Sequence, residues 1–160
     1  MLTPRPAVRR AAPRGPAGGR PPACLTRVGE SAHHARLVAR IVAWVRERHG
    51  DDPGLCVFVD APDADRGSKP WPLGGYVPDV IARTAPASFT LVGEAKWYRD
   101  LHTRHSEDQI RAYLGHLALQ RDPCLIVATP PLLVPHARRL VRRAQAEVHA
   151  EHVGTTFLSA

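Results

Sequence analysis

The sequence predicts an α/β domain: a helix, a meander of three strands, a second helix and a fourth strand, the mixed sheet flanked by helices. Three observations predict it. A helical apolar period runs from about Thr26 to His49, four short apolar runs of strand length follow, and two further helical stretches are interleaved with the last of them.

In the first stretch His34, Leu37, Val38, Ile41, Val42 and Val45 mark one face, and Gly50 follows as a stop. Leu55-Cys56-Val57-Phe58-Val59 reads as a strand, and a polar, proline-rich loop from Ala61 to Gly75 follows it. Tyr76 to Ala82 and Phe89 to Lys96 read as the next two strands, with Thr84-Ala85-Pro86-Ala87 as turn material between them. Ser106 to Gln120 reads as a helix whose apolar side is Ile110, Tyr113, Leu114 and Leu117. Leu125-Ile126-Val127-Ala128 is a continuous apolar run, as in a strand buried on both faces. Pro135 to His152 reads as a third helix with proline in its first turn, and Thr155 to Leu158 as a last strand. No internal repeat is present.

The 160 residues suffice for one domain with an adequate core. Residues 1–24 carry Arg5, Arg9, Arg10, Arg14 and Arg20, many prolines and no acid, and are expected to be a disordered basic tail ahead of a domain spanning 25–160. Such a tail is either an inert extension or an arm that adds salt-dependent affinity for phosphates. It holds five of the seven net positive charges, so global charge says little about the domain's partners. No apolar stretch approaches membrane-spanning length. Cys24, Cys56 and Cys124 are odd in number and widely spaced, which fits free thiols in a reducing cytoplasm.

Chemistry concentrates at Pro78-Asp79 and Glu94-Ala95-Lys96. Alternation along a strand points Glu94 and Lys96 one way and Ala95 the other. A buried strand ending in an acid and a lysine on one face wastes burial energy unless the charges have a use. A hairpin brings Asp79 alongside, and the trio can then hold a divalent metal, position a water and offset charge on a phosphate. Oxygen ligands from Asp79, Glu94 and the Ala95 carbonyl suit Mg²⁺ or Mn²⁺ rather than Zn²⁺. A surface ion pair between Glu94 and Lys96 or Arg83 is the plainer account.

These residues, in this order and among these elements, resemble the PD-(D/E)xK phosphodiesterase superfamily, which includes restriction-endonuclease-like and resolvase-like enzymes. The resemblance implies a restriction-endonuclease-like core and a metal-dependent nuclease that hydrolyses phosphodiester bonds, in DNA first of all. It implies Asp79 and Glu94 as metal ligands and Lys96 as the residue that assists the water. Many members carry a metal-site glutamate on the first helix, where Glu30 stands; a dipole partner at the helix start is the alternative. Gln109 and Tyr113, one turn apart, resemble the Gln-xxx-Tyr signature of RecB-like nucleases, with glutamine facing the site and tyrosine supporting substrate contacts. The competing account is a capping box, Ser106-Glu107-Asp108-Gln109, with Tyr113 as a packing residue.

Trp97, Arg99, Lys69 and Trp71 sit in loops beside the expected site, where aromatic and basic side chains stack bases and grip phosphates, or simply cover a sheet end. Arg138, Arg139, Arg142 and Arg143 form a basic patch on the third helix, read as a solvated face. Asp60, Asp63 and Asp65 start like a calcium loop, but Gly74 stands where its last glutamate is required. No zinc, Walker, dinucleotide or nucleophile-elbow motif is present. The expected partner is nucleic acid, with a homodimer or a separate targeting subunit to supply specificity. Two other readings remain: a nuclease-like scaffold that binds without cutting, and a small α/β protein of unrelated function.

Overall fold

A computed structural model describes residues 26–61, 66–85 and 88–160, without the side chains of 26–31 and of residue 66. The expected tail lies outside the described residues. The chain runs through α1 (Thr26–His49), β1 (Cys56–Val59), β2 (Val80–Arg83), β3 (Thr90–Ala95), α2 (Arg104–Leu117), β4 (Pro123–Thr129), α3 (Val134–Glu147) and β5 (Gly154–Ser159). The five strands form one mixed sheet in the order β1-β2-β3-β4-β5. β1, β2 and β3 make the antiparallel meander, and β4 and β5 join in parallel through helical crossovers.

The alternation of side chains divides the core into two layers. Val92, Ile81, Leu125 and Val127 face α2 and α3, which contribute Ile110, Tyr113, Leu114, Leu117, Leu140 and Val141. Leu91, Ala95, Val80, Ala82, Ile126 and Ala128 face α1, which contributes Leu37, Val38, Ile41 and Val45. β3 is buried along its whole length, which explains its near-continuous apolar sequence. At Gly93 an added Cβ would stand 2.6 Å from Ile41 Cγ2, so glycine is what lets α1 settle this low on the sheet.

Three of the boundaries that differ from the sequence reading have a visible cause. The second strand starts at Val80 rather than Tyr76, because Leu73-Gly74-Gly75-Tyr76 closes its own two-residue turn. Leu73 and Tyr76 exchange backbone bonds of 2.7 and 3.1 Å, and both glycines take positive φ, as a primed turn requires. The second helix starts at Arg104, with Thr103 as its cap: Thr103 Oγ1 accepts from the Ser106 N–H at 3.1 Å. Ser106 is therefore inside the helix, and the capping box offered as the competing account is not formed. The third helix ends at Glu147, five residues short of the expected end, where His149 turns to a φ of 54°. Among the described residues no helix is long and apolar enough to cross a membrane.

Candidate functional site

The site lies where β3 ends. Glu94 and Lys96 project toward α2, and the Lys96 ammonium stands 3.0 Å from Glu94 Oε1. It also donates to Gln109 Oε1 at 2.5 Å, and Gln109 Nε2 donates to the Tyr113 hydroxyl at 2.8 Å. The one-turn spacing of Gln109 and Tyr113 on α2 thus builds a chain of polar contacts down to a core tyrosine. Glu94 is 4% exposed and Lys96 6%, so the pair sits in a low-dielectric pocket where an unmet charge is costly. Glu94 Oε2 is buried with no hydrogen-bond partner. Burial is the largest cause that raises the Glu94 pKa to about 7, with the Asp79 charge next and Lys96 pulling the other way. Burial, then the Glu94 charge, pushes the Tyr113 hydroxyl well above the ordinary phenol range.

Asp79 reaches this point from just before β2. Val80 opposes Gly93, and the bond from Thr84 N–H to the Phe89 carbonyl sets which pairs of this ladder are hydrogen-bonded. Counted along the register, the residue that would pair with Ala95 is Pro78, which has no N–H. The regular ladder ends at the Val80–Gly93 pair, and the Asp79 side chain, through Oδ2, rather than a strand carbonyl accepts the Ala95 N–H at 2.7 Å. The Ala95 carbonyl points to the same side as its N–H, where proline cannot donate to it. Asp79 Oδ1 lies 3.0 Å from His34 Nε2 on α1. That bond is the leading cause of a raised His34 pKa, against desolvation.

His34 shares a helix face with Leu37 and Ile41 in sequence, yet its side chain is 42% exposed and meets Asp79. Its position at the margin of the apolar stripe was the available signal. Tyr113 is completely buried, so a direct substrate contact is not open to it; its hydroxyl holds Gln109 instead. Glu30 lies in the first turns of α1, with its side chain outside the described residues. Trp97 is partly buried and stacks on His33 with centroids 4.7 Å apart, while Arg99 beside it is exposed. Lys69 stands 3.7 Å from Asp60, whose N–H bonds to the Asp79 carbonyl, so it too is near the site. Trp71 packs edge-on against Phe58 under Arg83. In the α3 patch, Arg143 pairs with Glu107 and Glu147, and Arg138 lies over Phe157.

Comparison of the chain with models of known protein families, with curated proteins and with solved structures found no match.

Among the described residues, no three of His, Cys, Asp and Glu stand together as a ready metal cage. Mg²⁺ does not need one, since it commonly uses one or two carboxylates and keeps waters or substrate phosphates for the rest. The donors present are hard oxygens: the unpartnered Glu94 Oε2, the Asp79 carboxylate and the Ala95 carbonyl. Their chemistry fits such an ion, which would serve the Glu94 oxygen that Lys96 does not reach.

Proposed function

We propose that this chain is a metal-dependent phosphodiesterase that cuts nucleic acid, with DNA as its substrate. The observation that supports it is the meeting of Glu94, Lys96, Gln109 and Asp79 at the end of β3, with one buried Glu94 oxygen lacking any partner. A bound Mg²⁺ or Mn²⁺ would supply the charge that acidifies a water and offsets charge on the phosphate. Asp79, Glu94 and the Ala95 carbonyl would hold it. Two contacts of Lys96 are taken by Glu94 and Gln109, which leaves its third N–H to orient the attacking water or a phosphate oxygen. Gln109, braced by Tyr113, keeps the ammonium from swinging away.

The test is a nicking assay on supercoiled and single-stranded DNA with Mg²⁺ or Mn²⁺. Activity should vanish on chelation and in Asp79→Asn. An Asp79→Asn protein as active as the original would end this reading.

One observation favours a second reading, a scaffold of this shape that binds nucleic acid or a partner without cutting. Both Asp79 oxygens already have donors, His34 and the Ala95 N–H, and the Glu94–Lys96 pair is buried. Nucleic-acid binding with no cleavage under any divalent metal would select it.

A further inference from the structure

α1 lies mainly across β2 to β5, and β1 packs against the edge of its cluster only through the partly buried Val57 and Val59. Between the helix and that edge strand opens a cleft of about 760 Å³, lined by Ala35, Val38, Ala39, Val42 and Ala43 on one wall and Val59 on the other. His34 closes one end, and Asp60 borders it; these residues bond to the Asp79 carboxylate and to the Asp79 carbonyl respectively. The cleft is therefore continuous with the candidate site. Its volume lies in the range of pockets that hold one small organic ligand, roughly 300–1,000 Å³, and is far too narrow for a duplex.

The charges around it are mostly positive. From residue 32 to residue 46, α1 carries Arg36, Arg40 and Arg46 and no acid. Arg46 lines the cleft, and Arg36 and Arg40 are exposed beside Ala39 and Ala43, one turn away. Lys69 stands on the opposite rim, and Asp60, its partner at 3.7 Å, is the one acid among the lining residues. A cationic rim of this kind repels a second copy of itself and attracts a polyanion. Apolar walls built from alanine and valine leave a flat slot at the centre.

The geometry points to this cleft as a seat for one unpaired nucleotide of a single strand, its base against Ala39, Val42 and Val59 and its flanking phosphates against Arg46 and Lys69. The reading rests on the phosphodiesterase proposal for the position of the scissile phosphate and adds the substrate class: single-stranded or frayed nucleic acid. An intact duplex cannot place a base here without unpairing it.

Binding tests this apart from cutting. The full chain is titrated with a fluorescein-labelled twelve-residue oligothymidylate in Ca²⁺, with a duplex of equal length as competitor. Ala39→Trp fills the slot from an exposed helix position and should weaken single-strand binding about tenfold or more. Arg46→Glu should weaken it and reduce the salt dependence, since a phosphate contact is lost. Arg142→Ala, exposed on α3 across the sheet from α1, should bind as the original does, whether or not the protein proves to cut. Unchanged affinity in both Ala39→Trp and Arg46→Glu overturns the proposal. So does a duplex that binds as tightly as the single strand, or a dimer in sedimentation that Ala39→Trp abolishes.

Discussion

Glu94 and Lys96 meet at 3.0 Å inside the protein, and only one oxygen of the glutamate is served by the contact. A buried pair of this kind costs desolvation on both sides, and removing one partner leaves the other stranded. Lys96→Met should therefore cost about 3–5 kcal/mol, whereas Lys96→Met with Glu94→Leu should recover most of it. Urea denaturation of the original, both single variants and the double variant measures this. Additive losses would mean that the two side chains are not coupled.

Asp79 has two tasks that substitution can separate. Its Oδ2 replaces a missing ladder partner for Ala95, and its charge opposes Glu94. Asp79→Ala leaves the Ala95 N–H without that acceptor, at a cost of about 1–3 kcal/mol, partly offset by the lost repulsion. Asp79→Asn keeps an oxygen for Ala95 and should unfold close to the original, yet it should lose metal-dependent cleavage. Equal stability of the alanine and asparagine proteins would show that the ladder role is negligible.

The pH dependence follows from two raised values. Glu94 titrates at about 7 in the fold against 4.5 for the free side chain, so the folded state binds its proton more tightly. Stability from this group then falls as pH rises from about 4.5 to about 7 and is level above. The His34 value is raised above 6.5 by its bond to Asp79, so its contribution is complete below 6.5 and is lost as pH rises through the folded value. Both slopes run downward, and the protein without divalent cation should be less stable at pH 8 than at pH 5. Glu94→Gln should flatten the lower part and His34→Gln the upper. Added Mg²⁺ competes with the Glu94 proton, so the rise in Tm that it produces should grow from pH 5 to pH 8. A cation-free stability that climbs over this range would contradict the assignment.

Tyr113 acts through Gln109. Tyr113→Phe keeps the ring that fills the core and removes the oxygen that Gln109 Nε2 donates to. Stability should drop by about 1 kcal/mol, while turnover falls through a looser Lys96. A cleavage assay should show the loss in kcat with KM little changed. A change confined to KM would return the tyrosine to a substrate contact.

Much of this architecture was legible because burial writes itself into sequence. The apolar run at Leu125 to Ala128 and the glutamate and lysine around Ala95 were readable from alternation alone. The start of β2 was not, because the glycine pair at 74 and 75 turns the chain before pairing begins. Ser106 and Gln109 have the spacing of a capping box, but Thr103 captures the Ser106 N–H first. The partner of His34 depends on the angle at which α1 crosses the sheet, and that angle is set by side-chain volumes at contacts such as Gly93 with Ile41. No local pattern encodes it.

That contact supplies the last prediction. A Cβ at Gly93 would stand 2.6 Å from Ile41 Cγ2 and 3.2 Å from Val80 Cβ, and Ile41 is completely buried, so neither neighbour can swing aside. Gly93→Ala should therefore lift α1 and cost about 1–3 kcal/mol. The same lift carries His34 away from Asp79, so cleavage should fall even where the protein remains folded. Ile41→Ala opens a cavity and should cost about 2–5 kcal/mol alone. Together the two changes make room for each other, and the double variant should be more stable than the sum of the single losses by at least about 0.5 kcal/mol. Thermal melts of all four proteins measure that coupling. Strict additivity would mean that the helix does not rest on Gly93, and the account of how α1 is positioned over the site would fall with it.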